Sequence, residues 1–222
     1  MAKRLMVLAF LCIFCISCGK APSGEREAIT EEPAAESLEE LVVEDIEPII
    51  TTYGEPIIIA DFNSGEKPNN IEGNFGAWDR DPDDITQSAT DSFITTIRRG
   101  DEGYSIQIYY DVDSPNPAYN GFWMDLAGLD ASNRSVLSFW IKGDEMRDYT
   151  TTFKVELKNE KGEVGKYYVS NVTDDWQEVI IPFKSLGGLN DLSSLNELTL
   201  VFEDMTATKK EGAIYIDDIS IK

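Results

Sequence analysis

The 222 residues include 41 acidic and 19 basic side chains, a formal charge of −22, and no histidine. A surface this acidic repels a phosphate backbone, which excludes nucleic acid as a partner. Without histidine there is no imidazole general base, no histidine zinc ligand and no Ser-His or Cys-His nucleophile pair, while 42% hydrophobic and 10% aromatic residues suffice to bury one core.

Lys3 and Arg4 precede an apolar run over residues 5–16. That run is too short for a bilayer core, which needs roughly 20 residues, and it suits the apolar region of an export signal. The next residues, Ser17-Cys18-Gly19, resemble the lipobox of bacterial lipoproteins, with Cys15 where leucine is usual. The resemblance implies a signal peptide over residues 1–17 and acylation of Cys18. It also implies a place in the bacterial cell envelope, with the membrane as a partner through the N-terminal lipid and the domain facing the outer membrane or cell surface. Cys12 and Cys15 leave with the signal, so the mature chain is expected to lack disulfides. Residues 18–55 are rich in glutamate and broken by Pro22, Pro33 and Pro48. Low hydrophobicity with high like charge predicts a disordered, extended tether.

Residues 56–222 read as one domain. Residues 57–59 are three β-branched side chains that predict a first strand, followed by a turn at Asn63-Ser64-Gly65. Residues 67–84, KPNNIEGNFGAWDRDPDD, read as a long ordered loop, with Trp78 expected to pack it onto the core. Residues 93–99 predict a strand. Residues 104–112 alternate cleanly, with Ile106, Ile108 and Tyr110 on one face and Gln107, Tyr109 and Asp111 on the other. The same period sets Phe122, Met124 and Leu126 against Trp123 and Asp125, and Leu137, Phe139 and Ile141 against Ser138, Trp140 and Lys142. Tyr119 lies in a Pro/Asn-rich loop between these segments. Residues 149–158 set Phe153, Val155 and Leu157 against Lys154, Glu156 and Lys158, and NEKGE at 159–163 is a hairpin turn with Gly162 at the left-handed position. Further strands are expected at 165–171, around Trp176, at 198–203 and at 213–221, with Trp176 in the core. Short alternating strands punctuated by turns, without a long amphipathic helix, indicate an all-β antiparallel sandwich.

Residues 173–186, TDDWQEVIIPFKSL, resemble the penultimate region of galactose-binding-like jelly rolls. ADFNSG, NNIEGNFGAW, SFWIKG and the closing YIDDI extend the likeness, in the same order, to family 11 carbohydrate-binding modules. The resemblance implies a jelly-roll sandwich, a glycan (an oligo- or polysaccharide) as partner, and no catalysis. It also implies a structural Ca²⁺ where the first and last strands meet, with Asp61, Asn63 and Asp217 as ligands. Such an ion takes six to eight oxygens and would pin both chain ends. A second acidic string, Asp79-x-Asp81-x-Asp83, starts like an EF-hand. Pro82 interrupts it, and Asp84 and Thr90 stand where that loop needs glycine and glutamate, so it is not one. Its oxygens remain available to a looser site.

Sugars present C–H faces to aromatic rings and hydroxyls to nearby polar groups. The candidate ligand residues are therefore Tyr109 with Asp111, Trp123 with Asp125, Trp140, and Tyr119. Two rivals to glycan binding stand: a scaffolding lipoprotein that binds an envelope protein through the same fold, and a glycosidase. The second needs two carboxylates at a set separation across a cleft, and 41 acidic residues make such pairs too easy to imagine.

Overall fold

The structure, a computed structural model, describes residues 55–222. The expected signal peptide, Cys18 and the expected tether lie outside the described residues, apart from Glu55. Eleven strands form two antiparallel sheets. The first comprises β1 (Ile57–Ala60), β3 (Ser88–Ile94), β4 (Ser105–Asp111), β6 (Val136–Gly143), β9 (Gln177–Pro182) and β11 (Glu211–Ile221). Its order is β3-β4-β11-β6-β9, with β1 pairing the far end of β11. The second comprises β2 (Phe75–Asp79), β5 (Tyr119–Leu129), β7 (Phe153–Asn159), β8 (Val164–Val169) and β10 (Leu195–Glu203), in the order β2-β5-β10-β7-β8.

The alternation read from the sequence sets which face of each strand is buried. Ile106, Ile108 and Tyr110 are buried between the sheets, as are Phe122, Met124, Leu126, Phe139 and Phe153. Two rings bridge the layers: Tyr110 of the first sheet stacks on Phe202 of the second, with centroids 4.1 Å apart. Burying such rings gains both apolar area and stacking energy. The NEKGE turn joins β7 to β8. Gly162 has φ 81°, and the Asn159 side-chain oxygen accepts from the N–H groups of Lys161 and Glu163 at 3.1 and 2.9 Å.

Three expectations are corrected. The stretch 67–84 is not all loop, because FGAWD inside it forms edge strand β2 against β5. Gly and Asn around it hide the strand, but Phe75 finds a buried place beside Phe122, at 5.7 Å. The strand expected at 93–99 lies earlier, at β3, where polar residues on an edge need little apolar character. Trp176 is only partly buried and precedes β9 rather than joining the core. Pro182 closes β9, and Phe183–Ser185 makes one 3₁₀ turn that buries Phe183, as a residue without an N–H at a strand end allows.

Candidate ligand-binding groove

The outer face of the second sheet carries a groove of about 580 Å³. Strand order builds it. One row across the sheet reads Gly76, Trp123, Thr199, Glu156 and Lys166; the next reads Trp78, Gly121, Val201, Lys154 and Tyr168. Aromatic rings therefore stand over β2 and β5, and charged side chains over β10 and β7. Small residues keep the floor low between them. A Cβ on Gly121 would lie 1.9 Å from the Leu200 carbonyl oxygen, so a side chain there is sterically excluded.

On the aromatic side Trp78 meets Tyr119 edge-on, with centroids 5.8 Å apart. The Arg80 guanidinium lies 5.1 Å from the Tyr119 ring and donates to the Pro117 carbonyl at 2.7 Å, which holds the phenol ring in place. On the polar side Lys154, only 8% exposed, donates to Glu203 at 2.6 Å and approaches Glu156 at 3.1 Å. Burial works against the Lys154 ammonium, but the bonds to Glu203 and Glu156 outweigh it and raise the group overall. Lys158 is bonded to Glu197, which also accepts from Thr199 at 3.0 Å. Two lysines thus face three glutamates among the lining residues, each lysine neutralised in place. Such a surface offers indole faces for C–H groups and fixed donors and acceptors for hydroxyls.

Of the six ligand candidates, the groove brings together Trp123 and Tyr119. Asp125 lies two residues along the same strand, but its carboxylate accepts from the Ala127 N–H at 2.8 Å and does not line the groove. Tyr109, Asp111 and Trp140 belong to β4 and β6 and face outward from the other sheet. There the Tyr109 hydroxyl donates to Glu211 at 2.7 Å, and burial, then Glu211, pushes it up to about 12. Asp111 accepts from the Asp113 N–H at 2.9 Å, and Trp140 is covered by the Arg99 guanidinium at 3.4 Å. Trp78 lines the groove and is not the loop plug expected of it. Sequence reasoning also passed over Lys154, Glu156 and Lys158. Their alternation against Phe153, Val155 and Leu157 marked them as outward-facing, but not which strands they face.

The first and last strands do meet, since Ala60 pairs with Ile219. Two of the expected calcium ligands, Asp61 and Asp217, accept backbone hydrogen bonds. Asp217 is 2% exposed, and its two oxygens accept from the N–H groups of Arg99 and Asp218, each at 2.9 Å. Asp61 accepts from the Asn63 N–H at 3.1 Å. The Arg99 guanidinium stands 3.7 Å from Asp218, the neighbour of Asp217. Among the described residues no group of three acidic, imidazole or thiol side chains is placed to hold a metal ion.

The family model described as carbohydrate binding domain 30 matches residues 84–222. Among curated proteins none matches this sequence. Similar solved structures include the family 11 carbohydrate-binding module of the cellulosomal cellulase Lic26A-Cel5E of Clostridium thermocellum. It is 19% identical over 77% of this chain and 95% of that one, with a TM-score of 0.54. The family 11 module from the same organism in complex with a β-1,3-1,4-mixed-linked tetrasaccharide is 17% identical over 75% and 94%, with a TM-score of 0.55. An exo-β-agarase matches at 15% identity over 77% of this chain and 25% of its own length, with a TM-score of 0.54. At these identities the likeness shows the sandwich fold.

Proposed function

Because the chain belongs to the carbohydrate binding domain 30 family, we propose that its groove binds a neutral β-linked glucan without cleaving it, and that the domain works as a lipid-anchored module of the bacterial envelope. The observation that carries the binding reading is the placement of Trp78, Tyr119 and Trp123 along one wall, opposite the Lys154–Glu203 and Lys158–Glu197 pairs. Pyranose faces stack on the rings, and ring hydroxyls bond to the paired charges. A shallow polar groove of this kind gives affinities of about 10⁻⁶ to 10⁻³ M.

Calorimetric titration of the chain with soluble mixed-linked β-1,3-1,4-glucan tests the reading. Binding is expected without release of reducing ends, and Trp123→Ala is expected to weaken it by about tenfold or more. Failure of the chain to bind any neutral glucan, or equal binding by Trp123→Ala, removes the groove from this role and favours an envelope protein as partner. The anchor rests on Ser17-Cys18-Gly19 behind the apolar run. Cells fed labelled palmitate should label the chain, and Cys18→Ser should abolish the label.

A further inference from the structure

Three side-chain oxygens at one end of the sandwich have no hydrogen-bond partner: Asp79 Oδ1, Gln87 Oε1 and Asn120 Oδ1. Asn120 is fully buried and Gln87 is 5% exposed. Asp79 and Asn120 sit directly opposite one another on β2 and β5, and both turn inward to the same short segment of the facing sheet. Asn120 Nδ2 donates to the carbonyls of Ser88 and Asp111 at 3.0 and 2.7 Å. Asp79 lies near the backbone N–H of Ala89, which works against the effect of burial on its carboxyl. Gln87 immediately precedes Ser88, and its Nε2 donates to Asp84 at 3.1 Å. These bonds fix both amides. Neither can be turned over without losing its donors, so both amide oxygens are left free, beside a carboxylate.

We propose that Asp79, Gln87 and Asn120 hold a hard divalent cation of the calcium class between β2, β5 and the start of β3. Oxygen donors of one charge and two amides suit such an ion, with water and carbonyls completing the shell. Burial raises the Asp79 carboxyl, and a cation beside it would offset that cost by favouring the charged form. Asp79 opens the Asp-x-Asp-x-Asp string that the EF-hand pattern did not absorb. Asp81 is exposed, and its carboxylate accepts from the Asp83 N–H at 3.2 Å. Asp79 also follows Trp78, so the ion would tie the groove's edge strand to its neighbours. The site is separate from the Asp61–Asn63–Asp217 set.

Terbium(III) is the probe, added to the full chain with tryptophan excitation, because Trp78 adjoins the site. Sensitised emission displaced by calcium is expected, with calcium affinity of about 10⁻⁴ to 10⁻³ M for so few charges. Asp79→Asn should weaken it by about tenfold or more, as should Gln87→Ala, which keeps the readout available if the first variant does not fold. Asp217→Asn should leave it unchanged. Absence of calcium-displaceable emission, its persistence in both Asp79→Asn and Gln87→Ala, or its loss in Asp217→Asn each overturns the site.

Discussion

Asp217 shows how one residue links burial to stability. Burial first, and Asp218 beside it, push its carboxyl up to about 6 against the restraint of the Arg99 and Asp218 N–H groups. The folded state therefore holds this proton more tightly than the unfolded chain does. Its stabilisation is complete below the unfolded value near 4 and is lost as pH rises through about 6, roughly 3 kcal/mol for a two-unit shift. Thermal melts between pH 4 and 7 should show wild type losing stability relative to Asp217→Asn as pH rises. A constant difference would mean the group titrates normally. Asp84 and Glu163 are held low by side-chain and backbone donors, so their contributions fade only at more acidic pH and do not distort that window.

Among the elements, β2 is positioned by a residue outside it. Asn69, 7% exposed, accepts from the N–H groups of Ile71 and Gly73 at 3.1 and 2.8 Å and donates to the Asp125 carbonyl at 3.0 Å. It folds the preceding loop onto β5 and so delivers β2 into register. Gly73 is required in the same turn, since a Cβ would lie 2.0 Å from the Asp125 oxygen. Asn69→Ala strands these buried groups at a cost of about 1–3 kcal/mol. It should also weaken glucan binding through displacement of Trp78, although Asn69 does not line the groove. Unchanged affinity in a folded Asn69→Ala protein would show that β2 holds its place without the loop.

At the scale of the whole molecule, the charge of −22 is a long-range field, while the groove's own charges are paired at close range. Screening acts on the first and hardly on the second. Affinity for a neutral glucan should therefore stay nearly constant as salt rises from about 0.01 to about 1 M, a range over which the Debye length falls from about 30 to about 3 Å. A steep fall with salt would mean that unpaired charges, rather than the rings, carry binding. Polyuronates should not bind at low salt, where the acidic field reaches furthest.

The sequence by itself determined the sandwich and the inward face of most strands. A period of two is a local property, and Ile106, Ile108, Phe122, Met124, Phe139 and Phe153 obey it wherever the strand goes. It also marked Trp123 as outward-facing. Tertiary structure alone decided what Trp123 would meet. Strands distant in the chain are paired, so β10 brings Thr199 beside Trp123 and Glu156 of β7 one strand further, while Tyr109 and Trp140 fall on the opposite sheet. Trp78 was hidden for the same reason: a short edge strand among glycines has little local signal and exists because β5 offers it hydrogen bonds and Phe122 a partner for Phe75. Periodicity fixes which side a residue faces, and strand order fixes its neighbours on that side.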